Sequence, residues 1–126
     1  MLPRSRNVLS FMVASGLAVA AHAAPGDLDC GFGSNGVVSL NLAGSEAAYD
    51  AVLGADGGLV LLGPGSRLTR LTASGALDTS FGSAGTAQPV IPGSSGAFHL
   101  AQDSQGRLLI GGRRSGDDGE VFVARL

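Results

Sequence analysis

Short apolar segments separated by polar and glycine-rich stretches fill the chain after residue 36. Val37–Leu42 is apolar at positions 38, 40 and 42, and Asp56-Gly57 separates the apolar segments Ala48–Leu53 and Leu59–Leu62. Apolar residues at every second position are typical of a half-buried strand, and Asp-Gly favours a tight hairpin. Arg67–Leu71 is a fourth, alternating segment. The pattern predicts four short antiparallel strands.

This arrangement occurs twice. The segment Gly26–Gly36 returns as Gly75–Gly85 at an offset of 49 residues, with seven of the eleven positions identical. The second copy has matching candidate strands at Thr86–Ile91, Ala97–Gln102, Leu108–Ile110 and Val121–Leu126. Glycine interrupts both copies too often for a helical stripe. The sequence therefore predicts an all-β fold of two antiparallel, four-stranded repeat units of about 50 residues, at 24–74 and 75–126.

The second copy carries six more residues than the first, within Arg113–Glu120. This stretch is polar and contains Asp117-Asp118-Gly119-Glu120. Polar insertions are tolerated in surface loops, so we expect an exposed hairpin tip.

The most specific repeated feature is a Leu-Asp-x-x-Phe-Gly-x-x-Gly motif. Its residues are Leu28, Asp29, Phe32, Gly33 and Gly36 in the first copy, and Leu77, Asp78, Phe81, Gly82 and Gly85 in the second. With the Asp-Gly turn and the closing Arg125-Leu126, the motif resembles the delta-60 repeat, a bacterial β-propeller-like repeat of secreted and surface proteins. The resemblance covers residues 26–126, although the second copy has Gln105-Gly106 where the family favours Asp-Gly. It implies a partial β-propeller, or blade pair, with a structural or binding role. Because the family occurs as long arrays, it also implies a fragment of a longer array.

The motif residues have structural roles of their own. We expect the two leucines to anchor a turn to a sheet and the two phenylalanines to fill space between neighbouring sheets. The two aspartates can accept hydrogen bonds from backbone N–H groups of the turn that follows them. The glycines permit a positive φ or a close backbone approach.

The first 23 residues have the pattern of a secretory signal peptide. Arg4 and Arg6 precede a mostly apolar run, and Ala21-His22-Ala23 has the small residues of a cleavage site. The apolar run is shorter than the roughly 20 residues that a membrane-spanning helix needs. We therefore expect cleavage after Ala23, a secreted or periplasmic product, and no membrane span after cleavage.

The chain carries a net charge of −2, and all eight of its basic residues are arginine. Scattered arginines do not form the basic face that nucleic acid requires, so a nucleic-acid partner is not expected. The partners that remain are an unidentified protein or polysaccharide, or a second copy of the chain.

Few residues have side chains suited to catalysis or metal binding. Asp27, Asp29 and Asn35 are oxygen donors on one loop and are the candidate calcium ligands, but the second copy has alanine in place of Asp27 and Asn35. His99 is the one histidine after the predicted cleavage site, and no serine is marked as its partner. Cys30 is the single cysteine, so no intramolecular disulfide is possible. We expect no catalytic residues, no cofactor and no metal.

Three functions are compatible with these observations. The leading prediction is a non-catalytic, exported β-repeat scaffold or binding module. The first alternative is a protein that self-associates to complete a propeller ring, and the second is a hydrolase or lyase with a propeller-type site. A hydrolase or lyase site needs polar residues that converge at one end of the propeller.

Overall fold

The computed structural model describes residues 24–42, 44, 46–116 and 119–126. The predicted signal peptide, residues 1–23, lies outside this range, as do Asp117 and Asp118 of the acidic tip. The described residues form seven strands and one 3₁₀ turn at Pro64–Ser66, without an α-helix. The strands are β1 Asp50–Leu53, β2 Leu59–Leu62, β3 Leu68–Leu71, β4 Thr86–Ala87, β5 Ser94–Gln102, β6 Leu108–Arg114 and β7 Val121–Arg125. The all-β prediction is confirmed.

The strands form two antiparallel sheets that do not close on themselves. The first sheet has the order β1-β2-β3-β4 and the second the order β5-β6-β7. The Asp-Gly turn joins β1 to β2, with Gly57 at φ 78°. Strand β5 packs against β1, β2 and the 3₁₀ turn, so the sheets lie against each other.

The core lies between the sheets. Val60, Leu62 and Leu68 of the first sheet are buried in one cluster with Ala97, Leu100, Leu108, Ile110 and Phe122 of the second. Leu62 and Ile110 have no exposed surface. Burial of apolar side chains from both sheets in one cluster makes each sheet depend on the other for stability.

Two buried or half-buried hydrogen bonds also join the sheets. The Ala97 N–H donates to Ser66 Oγ at 3.0 Å, and the Leu100 N–H donates to Asp50 Oδ2 at 2.8 Å. Strand β5 is the edge of its sheet, and its register with β6 is irregular at two points. The two side chains therefore supply acceptors for edge N–H groups that have no neighbouring strand.

The prediction of four strands in each copy is wrong at the first strand of each unit. Val37–Leu42 forms no strand, and Thr86–Ile91 is reduced to β4, which pairs with β3 of the preceding copy. The first sheet therefore extends past Gly75, and the second has three strands. Among the described residues, no strand pairs with Val37–Val38 in the way that β3 pairs with β4.

Among the described residues there is no apolar helix of the length needed to cross a membrane.

Candidate functional site

The repeated motif folds into the same turn in both copies. In the first, the Phe32 N–H donates to Asp29 O at 2.9 Å and the Gly36 N–H to Phe32 O at 2.8 Å. In the second, Phe81 donates to Asp78 at 3.0 Å and Gly85 to Phe81 at 2.9 Å. We call these segments the first turn (Gly26–Gly36) and the second turn (Gly75–Gly85). Their matching bonds mean that the sequence repeat is also a repeat of local structure.

The motif aspartates accept hydrogen bonds from within their own turns. Asp29 Oδ1 accepts the Gly31 N–H at 2.8 Å, and Asp78 Oδ1 accepts the Ser80 N–H at 3.1 Å. An aspartate that bonds to backbone two residues later forms a local turn in place of a strand or helix. This is the role that the sequence predicts for both residues.

Glycine is required directly after the motif phenylalanine, at Gly33 in the first turn and Gly82 in the second. Gly33 has φ 57° and Gly82 has φ 56°. A Cβ atom would lie 2.4 Å from Val37 O at Gly33 and 2.1 Å from Thr86 O at Gly82. The left-handed backbone and the close carbonyl together exclude larger residues. Gly36 and Gly85 also have positive φ angles.

The apolar motif residues are less buried than expected. Phe32 and Phe81 are both half-buried, and Phe81 packs against the core cluster. Leu77 is half-buried, whereas Leu28 is 60% exposed. The second turn lies against β3 through the Leu71–Leu77 bridge, and no strand in the described part of the chain pairs with the first turn in this way, which accounts for the difference between the two leucines.

Arg70 of β3 joins three parts of the molecule. Its guanidinium binds Asp56 of the β1–β2 turn, and its Nε lies 3.3 Å from Asp78 Oδ2 of the second turn. Its N–H donates to Gly85 O at 3.0 Å and its C=O accepts the Asp78 N–H at 2.9 Å. Sequence reasoning missed this residue, although its recurrence in Arg70-Leu71 and Arg125-Leu126 was a usable signal.

The carboxylates in this region are held ionised. The pKa of Asp78 is lowered by hydrogen bonds from the Ser80 hydroxyl and N–H, and further by Arg70. The pKa of Asp56 is lowered by the Gly58 N–H, with Arg70 contributing. Carboxylates committed to donors in this way stabilise turns and are poor general bases.

The candidate calcium ligands Asp27, Asp29 and Asn35 lie in the first turn and are exposed. One Asp29 oxygen is already bonded to Gly31, and Asn35 adopts φ 52°. Among the described residues, no three His, Cys, Asp or Glu side chains come together as a metal-binding group.

The other candidate residues lie apart. His99 is exposed on β5, and no hydrogen bond joins its side chain to a serine in the described part of the chain. Cys30 is an exposed free thiol in the first turn. His99 lies close enough to Asp50 to help lower the pKa of that carboxyl, whose oxygens accept the Leu100 and Ala51 N–H groups.

A cavity of about 240 Å³ lies beside the outer face of the first sheet. Leu61 and Thr69 form its floor on the sheet, and Val38 and Leu40 line it from the segment after the first turn. Its polar lining includes Arg67 and Glu46. The cavity is mostly apolar and holds no set of groups arranged for catalysis.

Comparison of the chain with protein-family models, with curated proteins and with solved structures finds no match.

Proposed function

We propose that this chain is a non-catalytic, exported β-repeat module of the delta-60 type, which acts as a scaffold or presents a binding surface to a protein or polysaccharide. In this proposal each antiparallel sheet is one propeller-like blade. The observation that carries it is that the repeated residues bind backbone, or Arg70, instead of surrounding an open reaction site.

The way the sheets meet supports a repeat module. In the first sheet, Val60 and Leu62 face the core, while in the second, Leu108 and Ile110 do so. At the 49-residue offset, Leu108 and Ile110 correspond to Leu59 and Leu61. The sheets therefore meet through opposite faces, front to back, which is the packing that lets equivalent units stack in an array.

The proposal is tested by calorimetry with calcium chloride and by a panel of chromogenic ester and glycoside substrates. A scaffold gives no binding heat and no turnover. A micromolar calcium site that Asp29→Ala abolishes, or hydrolysis that His99→Ala abolishes, contradicts the proposal. Asp27→Ala and Ser95→Ala serve as controls: Asp27→Ala shows whether calcium binding needs the whole loop, and Ser95→Ala replaces a hydroxyl engaged with Arg113 O.

Export is tested separately. We expect the product recovered from the periplasm or medium of a bacterial host to begin at Ala24, because Ala21-His22-Ala23 has the pattern of a cleavage site. N-terminal sequencing and intact mass measure this directly. Recovery of a product that begins at Met1 contradicts it.

A further inference from the structure

The contact between β3 and the second turn shows how one repeat unit binds the unit that follows it. Arg70 binds the second turn through two backbone hydrogen bonds, to Gly85 O and from the Asp78 N–H, and through its ion pair with Asp78. Strand β4 follows directly and pairs with β3 through Thr86–Thr69 and Ala87–Leu68. This contact comprises Arg70 on β3, Asp78 in the second turn, and the short strand β4, which pairs with the side of β3 that faces away from β2.

The arginine half of this contact occurs a second time, without its partner. Arg70 lies opposite Val60, and Arg125 lies opposite Leu109, which is the residue 49 positions after Val60. Arg125 is exposed, and no described strand lies on the outer side of β7. Val123 of the same strand is 73% exposed. This edge therefore presents unpaired backbone groups beside an arginine and an apolar side chain.

The turn half also occurs a second time. Asp29 and Gly36 correspond to Asp78 and Gly85, and the first turn already has the conformation of the docked second turn. Within the described residues, the Asp29 N–H and the Gly36 C=O have no backbone partner, and the Asp29 carboxylate has no ion pair. A turn already folded for docking loses little conformational entropy on binding.

We infer that the β7 edge of one copy of this chain binds the first turn of a second copy. Arg125 of one copy bonds to Gly36 and Asp29 of the other, and Val37–Val38 lies along β7 as a fourth strand. The inference deepens the proposed repeat module by naming its partner, a second copy.

The occupant is a second copy because both halves of the contact are present, and among the described residues no hydrogen bond or strand pairing joins them. The first turn contacts the link between β3 and the second turn, where the Gly33 N–H donates to Ser74 O at 2.9 Å. The β7 edge belongs to the other sheet. A contact between unlike surfaces repeats from copy to copy, so the product is a closed ring or an open chain of molecules.

Sedimentation velocity of the exported full-length product, from about 1 µM to about 1 mM, measures the assembly. We expect species heavier than the monomer whose fraction rises with concentration. Arg125→Asp and Asp29→Arg each place like charges at every junction and should weaken association roughly tenfold or more. Arg113→Asp, an exposed arginine on β6 with the same change of charge, is the matched control and should assemble like the original protein.

Mixing the two variants gives the decisive result. In an equimolar mixture every junction between unlike variants carries opposite charges, so assembly returns, as it does in a chain that carries both substitutions. A protein that stays monomeric at all concentrations overturns the inference, and so does assembly that neither single substitution weakens. Failure of the mixture to restore assembly also overturns it. None of these outcomes depends on calcium or substrate turnover, so the repeat-module proposal can fail independently.

Discussion

Asp78 and Asp29 occupy the same place in the repeat but have different surroundings. The Asp78 side chain binds Ser80 within its turn and Arg70 across the junction, while the Asp29 side chain bonds, among the described residues, to Gly31 alone. The hydrogen bonds within the turn therefore explain why both motif positions hold aspartate. How much each aspartate contributes to stability depends on whether a neighbouring strand supplies a further partner.

Replacing each aspartate by alanine separates these two contributions. We expect Asp78→Ala to lower the midpoint of thermal unfolding by more than Asp29→Ala, because only Asp78 loses a contact with β3. Circular dichroism at a protein concentration low enough to keep the chain monomeric measures both midpoints. Equal losses would contradict the assigned role of Arg70.

The hydrogen bonds of the Asp50 carboxyl predict how the stability of the fold depends on pH. The N–H groups of Leu100 and then Ala51 lower the pKa of its carboxyl below the ordinary value. A carboxyl whose pKa is lower in the folded state stabilises the fold above its unfolded value, and this contribution is lost as pH falls through the folded value. The pKa of Asp56, Asp78 and Asp103 is lowered too, so these residues act in the same direction.

We therefore expect the unfolding midpoint to change little between about pH 7 and pH 5 and to fall below about pH 4. Asp50→Asn should make the acid-side fall shallower, because the substituted residue no longer takes up a proton. Asp27→Asn, at an exposed position, is the matched control. A midpoint that rises in acid would be incompatible with these hydrogen bonds.

At the scale of the strand, period-two patterning located the central strands but not their partners. Ala48–Leu53, Leu59–Leu62 and Arg67–Leu71 were predicted, and β1, β2 and β3 lie within them. The pairing of β4 with the preceding sheet was missed because a two-residue strand carries no periodicity. Its partner is also chosen by tertiary contact, which local sequence does not encode.

The candidate site was predictable to the same extent. The repeat identified Asp29, Asp78 and the turn glycines, whose hydrogen bonds are local in sequence. Arg70 was missed, because its partners Asp56 and Asp78 are brought to it by the hairpin and the second turn. A residue that acts through distant partners has no local motif.

Core strands and edge strands should respond differently to truncation. Ile110→Ala on β6 removes a side chain with no exposed surface, and we expect a loss of about 2–5 kcal/mol in the free energy of unfolding. Val123→Ala on the neighbouring β7 should change it by no more than about 0.5 kcal/mol, since that side chain is largely exposed. Urea unfolding of the monomer measures both. Similar losses would mean that β7 is covered in the free molecule.

For the whole molecule, one shared core predicts one unfolding transition. Leu62 and Ile110 come from different sheets and lie in the same buried cluster. Leu62→Ala and Ile110→Ala should each move a single transition to lower temperature, without splitting it. Calorimetry tests this by comparing the calorimetric and van't Hoff enthalpies. Two separate transitions would show that the sheets unfold independently.

The sequence repeat and the sheets are out of phase, because the second turn and β4 complete the sheet that precedes them. A tandem gene duplication that copied one repeat would therefore add a turn that docks on the sheet before it. It would also add a sheet whose last strand can receive the turn of the repeat after it. Both new junctions would reuse the contacts of Arg70, Asp78 and Gly85. Recombination could then lengthen or shorten such a coding region by whole repeats without requiring a new interface to evolve.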